Sequence, residues 1–138
     1  MIIKTTNKIL FNPVKYTKKV TNLALPNAAK RLNDIGLRAA KNSYSKQRKA
    51  SGPSELLSSF VDKIENVSGT KVIGIIQAGG SQAPYAVWVN FGHRLRNGQW
   101  WEGYDFMGDG GKAPPGANLA IKNAASRVII EEVKKIRV

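Results

Sequence analysis

The sequence predicts an α+β fold, and three patterns in it lead to this prediction. Apolar residues recur at spacings of three and four over residues 26–44 and again over 117–136, as in helices with one buried face. Two runs rich in valine and isoleucine flank Ser68 and Gly69, which favours a β-hairpin. An Asn97-Gly98 pair predicts a second hairpin. Helices at both ends of the domain and strands between them make an α+β fold.

The first 25 residues are predicted to form an N-terminal arm rather than part of the domain. Small apolar clusters alternate there with lysines and threonines, and Pro13 interrupts any long helix. The pattern leaves room for a short strand near Lys8–Phe11. We predict that residues 1–25 fold onto a partner, and that residues 26–138 form a single α+β domain.

The first helix begins at Pro26, which suits a first helical turn, and extends to about Tyr44. Its far side and the loop after it, which ends at Gly52 and Pro53, are strongly basic. Two interpretations stay open for these residues: a solvated basic face, or a face that contacts DNA or an acidic partner. The candidate residues are Lys30, Arg31, Arg38, Lys41, Lys46, Arg48 and Lys49.

The charge balance favours an anionic partner. The chain has 22 Lys and Arg against 9 Asp and Glu, for a formal net charge of +13. Residues 1–50 alone hold 12 of the basic residues and one acid, Asp34. Such a surface attracts polyanions or an acidic protein. No apolar run approaches the roughly 18 residues of a membrane span, so we expect a soluble protein made in a cytoplasm.

The middle of the chain alternates short elements and turns. The run over residues 72–76 is apolar on both faces and is predicted to be the central strand of the sheet. Residues 84–92 fit a strand or a short helix, and Pro84 at a first turn with Gly92 after the end favours the helix. A protruding hairpin arm over 94–101 and a Gly/Pro-rich loop over 102–116 follow, and the closing helix runs from about Ala117 to Ile136.

Aromatic residues concentrate around the predicted hairpin arm, with six of the chain's eleven inside a nineteen-residue stretch. We predict that Trp88 and Phe91 belong to the core and that Tyr104 and Phe106 cover it. Adjacent residues in a strand point to opposite faces, so at least one of Trp100 and Trp101 is hard to bury within one monomer. Aromatics with arginine are typical of protein interfaces, and also of surfaces that stack single-stranded nucleic acid. The predicted subunit interface consists of His93, Arg94, Arg96, Trp100 and Trp101.

The sequence contains no residue pattern that is typical of a catalytic site. There is no cysteine, which excludes disulfides and thiolate metal sites, and His93 is the only histidine. No metal-ligand spacing occurs, and Glu102, Asp105 and Asp109 are interpreted as ordinary loop charges. We therefore predict a protein that is not an enzyme and has no catalytic residue, metal or cofactor.

A series of short motifs occurs in a fixed order between residue 52 and the closing helix. It consists of Gly52, Leu56 and Ser59, then Tyr85, Ala86, Val89, Phe91, Gly92 and His93, then Gly98, Trp101, Glu102, Gly103, Phe106 and Met107. This series resembles the small tail-completion and head-tail joining (neck) proteins of tailed bacteriophages, and the resemblance covers about residues 52–136. In that family a Tyr-Ala pair precedes a valine, an acidic residue, an aromatic, a glycine and a His or Thr, and a glycine with Phe-Met follows later. Two features depart from the pattern: Asn90 stands where an acid is common, and residues 108–116 are unusually rich in glycine and proline.

The resemblance implies a structural virion subunit. Its fold would be α+β, with long N-terminal and C-terminal helices packed on a small mixed or antiparallel sheet. It would form a homo-oligomeric ring, commonly a hexamer, at the head–tail junction around the genome channel. The implied partners are copies of itself, neighbouring connector, terminator or tail tube proteins, and the genome end. A tail terminator, a connector adaptor and, from another class, a free non-specific DNA-binding protein stay open as alternatives.

Overall fold

Two long helices lie on one face of a three-stranded antiparallel sheet. The computed structural model describes residues 2–10, 23–48, 54–68, 71–111 and 114–135. This arrangement confirms the predicted α+β class with helices packed on a small antiparallel sheet. In chain order the elements are β1 (Ile2–Leu10), α1 (Leu25–Gln47), α2 (Glu55–Ser58), β2 (Val61–Ser68), β3 (Lys71–Gly79), α3 (Ala86–Phe91), β4 (His93–Arg94), β5 (Trp100–Trp101) and α4 (Ala117–Lys135).

The sheet has the order β1-β3-β2, so β3 is its central strand as predicted. Strands β2 and β3 pair antiparallel across residues 68–71, which confirms the predicted hairpin. The turn residues Gly69 and Thr70 lie outside the described residues. One face of β3 carries the buried residues Val72, Gly74, Ile76 and Ala78 and packs under the helices.

The predicted N-terminal arm is wrong for Ile2–Leu10. These residues form an edge strand of the domain's own sheet, in register with β3 from Ile2 opposite Gly79 to Leu10 opposite Lys71. Ile3 and Thr5 face the helices and are buried, whereas Lys4 points outward. A half-buried edge strand needs apolar residues only at alternate positions, so its lysines and threonines concealed it in the sequence. Residues 11–22 of the predicted arm lie outside the described residues.

Both predicted helices are present, and α1 packs closely against α4 and β3. A Cβ atom at Gly36 would collide with the side chains of Ile76 and Ile121, so this glycine sets the distance between the three elements. Asn33, fully buried on the same helix, donates from Nδ2 to the Lys63 carbonyl over 3.0 Å. Away from this contact, α1 carries exposed side chains at positions that are four residues apart.

The described parts of the Gly/Pro-rich segment, residues 102–111 and 114–116, form a folded loop that holds the start of α4; residues 112 and 113 lie outside the described residues. Backbone N–H groups of Ala117, Asn118 and Leu119 donate to the carbonyls of Phe106, Met107 and Gly108 over 2.9–3.2 Å. These bonds satisfy donors that a helix N-terminus otherwise leaves unpaired. The hydroxyl of Thr5 also donates to the Asn118 side chain, which ties β1 to the same helix end. Across the described ranges, neither long helix has the apolar length that a bilayer crossing requires.

Candidate functional site

The predicted hairpin arm is present and has a defined turn. His93 pairs with Trp101 and Arg94 with Trp100 in the β4–β5 ladder. The Leu95 N–H donates to the Gln99 carbonyl over 2.7 Å, and the Gly98 N–H donates to the Leu95 carbonyl over 3.0 Å. Residues 96–98 therefore form a three-residue loop. Gly98, at φ 87°, occupies the left-handed position that such loops require.

The base of the hairpin is held by two glycines that bring backbone segments into contact. Gly92 has φ 89°, and a Cβ atom there would collide with the backbone of Trp101 and Glu102. Gly103 faces it, with φ 76°, and a Cβ there would lie 2.5 Å from the Gly92 nitrogen. Only glycine combines a positive φ with this close approach at low cost. The hairpin is therefore fixed where it leaves the domain.

A chain of edge-to-face aromatic contacts continues from the core into the hairpin. Neighbouring ring centroids are 5.1–6.0 Å apart, within the range favoured for aromatic pairs. One face of the hairpin is thus anchored to the buried core, and the opposite face, with Arg94 and Trp100, points away from it. In order outward, this aromatic chain consists of Phe60, Phe106, Tyr44, Tyr104, Trp101 and His93.

Four large apolar side chains are exposed on α3 and the hairpin, and we call them the aromatic surface. They are Trp88, Phe91, Leu95 and Trp100, with exposed fractions of 52%, 60%, 39% and 60%. Trp101 is only half-exposed, which confirms that the two adjacent tryptophans point to opposite faces.

The prediction that Trp88 and Phe91 belong to the core is wrong. The short helix α3 buries only a narrow face, and small or polar residues at Ala83, Ala86 and Asn90 already fill it. The spacing of these three residues by three and four was the signal available in the sequence. It places both aromatics on the solvent side of the helix.

Asn90 connects α3 to the loop that follows the hairpin. Its side chain is buried, and Oδ1 accepts a hydrogen bond from the Met107 N–H over 2.9 Å. Its own carbonyl accepts from the Asp105 N–H over 2.9 Å, and the Val89 carbonyl accepts from the Tyr104 N–H over 2.8 Å. These bonds hold α3, the hairpin base and the aromatic chain together as one substructure.

Arg31 does not belong to the free basic face of α1, contrary to the prediction. Its guanidinium reaches α4 and pairs with Glu131 over 2.7 Å and with Glu132 over 3.1 Å. The hydrogen bond from Arg31 lowers the pKa of Glu131. Burial would raise the pKa of Glu132, but hydrogen bonds from Lys135 and Arg31 hold it below its ordinary value. Arg31 is therefore a structural cation between the two helices.

The other predicted basic residues remain on the surface of α1 or just beyond it. Lys30, Arg38 and Lys46 are exposed, and Lys41 is half-exposed. The Arg48 guanidinium lies 5.7 Å from the centre of the Tyr44 ring, in a cation–π contact. Lys49 lies outside the described residues.

The loop acids form no metal-binding cluster within the described residues. Asp105 has φ 50°, and its carboxylate accepts from the Asp109 N–H over 3.1 Å, so it stabilises the turn that it belongs to. Glu102 is exposed beside the hairpin base.

Comparisons of this chain with protein-family models, with curated proteins and with solved structures returned no match.

Proposed function

We propose that this chain is a structural subunit of a tailed-bacteriophage virion, a tail-completion or neck protein that forms a ring at the head–tail junction. The observation that carries the proposal is the aromatic surface on an anchored hairpin. Such a subunit binds its neighbours through a surface that is already folded in the monomer. Tail terminator and connector adaptor are neighbouring roles within the same proposal.

The composition of the aromatic surface favours a protein partner. Large exposed apolar side chains grouped on one part of a domain mark interaction sites. Tryptophan and arginine are the residues most enriched among those that dominate binding energy, and Arg94 and Arg96 flank Trp100 on the hairpin. Because the aromatic chain already fixes the hairpin in the monomer, little conformational entropy is lost from the hairpin when a partner binds. A ring subunit needs such a preformed contact.

Most of the residues that carry the resemblance, those between Tyr85 and Met107, lie in the substructure that presents this surface. Gly92 and Gly103 form the hairpin base, and His93 and Trp101 end the aromatic chain. The departure at Asn90 leaves its structural task intact, because Oδ1 accepts the Met107 N–H as a carboxylate oxygen would. These facts support the proposal, since the motif residues act together in this one substructure.

The experiment replaces Trp100 by Ser in the full chain and examines particles and the isolated protein. We expect unjoined heads and tails and a loss of oligomers in native mass spectrometry. The melting temperature should stay unchanged, because the side chain is 60% exposed. The matched control is Ile130→Ser, which removes an apolar side chain of 52% exposure from α4 and should leave joining intact. Normal joining with Trp100→Ser would overturn the proposal.

A further inference from the structure

We propose that the exposed face of α1 binds the phosphate backbone of duplex DNA without reading its bases. This inference concerns a surface other than the hairpin and does not rest on ring formation. The site, called here the α1 stripe, is made of side chains spaced four residues apart along the helix, together with the adjacent Lys41. It consists of Lys30, Asp34, Arg38, Lys41, Asn42 and Lys46.

The α1 stripe winds slowly around the helix, because each four-residue step advances about 40° beyond a full turn. Lys30, Lys41 and Arg38 lie within about 80° of one another and share one face, whereas Lys46 lies about 160° from Lys30 at the far end. From Lys30 to Lys41 the helix rises about 16 Å, at about 1.5 Å per residue, which is long enough to follow a duplex backbone. Because the helix backbone is rigid, the spacing of these cations is set before any ligand binds. Several phosphates of one groove edge can be contacted at once.

The cations of the stripe keep their charge available. None of the four makes an ion pair with any described residue. On α4, by contrast, Arg127 pairs with Glu131 and Lys135 pairs with Glu132. Asp34 is the single acid of α1, and it too has no ion-pair partner within the described ranges. Positive potential therefore concentrates on the outer face of α1.

The side chains around these cations favour DNA over an acidic protein. No large apolar side chain of α1 is exposed, whereas four are exposed on α3 and the hairpin. Protein interfaces take most of their binding energy from buried aromatic or apolar anchors. Interfaces with DNA are more polar and more positively charged. The stripe is likewise polar and positively charged, and Asn42 is its exposed uncharged member.

The experiment measures binding of the full chain to a fluorescent 30-base-pair duplex of arbitrary sequence as salt is raised from 50 to 200 mM. Neutralising Lys30, Arg38 and Lys41 to Gln should reduce the slope of log K against log salt by about 2.7, at about 0.9 per lost phosphate contact. A second duplex of unrelated sequence should bind equally. The matched control neutralises Lys4, Lys122 and Lys134, which are exposed, make no ion pair with a described residue and lie outside the stripe. It has the same net charge and should keep most of the slope.

Asp34→Asn gives a test that misfolding cannot imitate, because the expected result is a gain. Removing the one carboxylate from the stripe should raise DNA affinity several-fold at 50 mM salt and make less difference at 200 mM. Equal slope loss in both triple variants would overturn the proposal in favour of diffuse charge. Tighter binding to polyglutamate than to DNA would overturn it in favour of an acidic protein partner.

Discussion

The hairpin and the outer face of α1 differ in how the fold supports them. The hairpin protrudes, and it depends on two glycines with positive φ and on ring contacts that reach the core. The outer face of α1 depends on nothing beyond the helix, because its side chains point away from every packed element. The comparison shows that the hairpin base and the ring contacts that hold it are costly to alter, whereas the cations of α1 can change without loss of fold.

The largest effect is expected at the hairpin base. Gly92→Ala should destabilise the domain by about 3 kcal/mol or more, because φ 89° with ψ 176° is a conformation essentially confined to glycine that costs about 1–3 kcal/mol, and the new Cβ would also collide with backbone. Gly98→Ala is the control, since φ is 87° there but nothing lies within 4 Å of the added Cβ. Gly98→Ala should lower the free energy of unfolding by about 1–2 kcal/mol, the cost of the positive φ alone. Urea denaturation of both variants measures the difference; equal losses would show that the close approach is unimportant.

Substitutions of the two adjacent tryptophans should differ in their effect on stability, because Trp101 packs against neighbouring rings and Trp100 is exposed. Trp101→Ala removes ring contacts with His93 and Tyr104 and should cost about 2 kcal/mol, less than a fully buried aromatic would. Trp100→Ala should change the free energy of unfolding by less than about 0.5 kcal/mol. Thermal denaturation of each variant compares them. A larger loss at Trp100 would mean that this side chain packs within the monomer.

A smaller, pH-dependent effect is expected between α1 and α4. The folded-state pKa values of Glu131 and Glu132 lie below their ordinary value of 4.5, so the stabilisation is complete above that pH. It should be lost as pH falls through the folded-state values. Melting temperatures from pH 6 to pH 3 measure the loss. The double variant E131Q/E132Q should show a flatter profile; an identical profile would assign the acid sensitivity to other carboxylates.

The smallest effect on stability is expected on the α1 stripe. Arg38→Gln should alter the free energy of unfolding by less than about 0.5 kcal/mol, because the side chain is exposed and makes no ion pair with a described residue. Chemical denaturation checks this value. A loss above 1 kcal/mol would show that the guanidinium supports the helix rather than facing solvent.

Local patterns in the sequence predicted the elements whose signals lie within one stretch of chain. The two helices, the central strand and the Asn97-Gly98 hairpin each have such a signal, and each is present. Contacts between segments that are distant in sequence were not predicted. The pairing of Ile2–Leu10 with β3 joins segments that are distant in sequence, and a polar edge strand leaves only a weak alternation. The contact of Arg31 with α4 likewise depends on which helix lies beside it.

The aromatic residues at the candidate site were predicted in part. Their concentration is visible in the sequence, and the opposite faces of Trp100 and Trp101 follow from strand geometry. The exposure of Trp88 and Phe91 was missed although a signal for it exists. Ala83, Ala86 and Asn90, spaced by three and four, occupy the buried side and leave both aromatics facing solvent.

The position of β1 has a consequence for how the chain folds. Strands β2 and β3 are neighbours in sequence and can pair early, whereas β1 joins β3 only after the chain between them has closed a long loop. Until then the second edge of β3, with its run of valine and isoleucine, lacks a partner and can pair with another chain. We expect removal of residues 2–10 to make that exposure permanent, so that the shortened chain aggregates through its central strand.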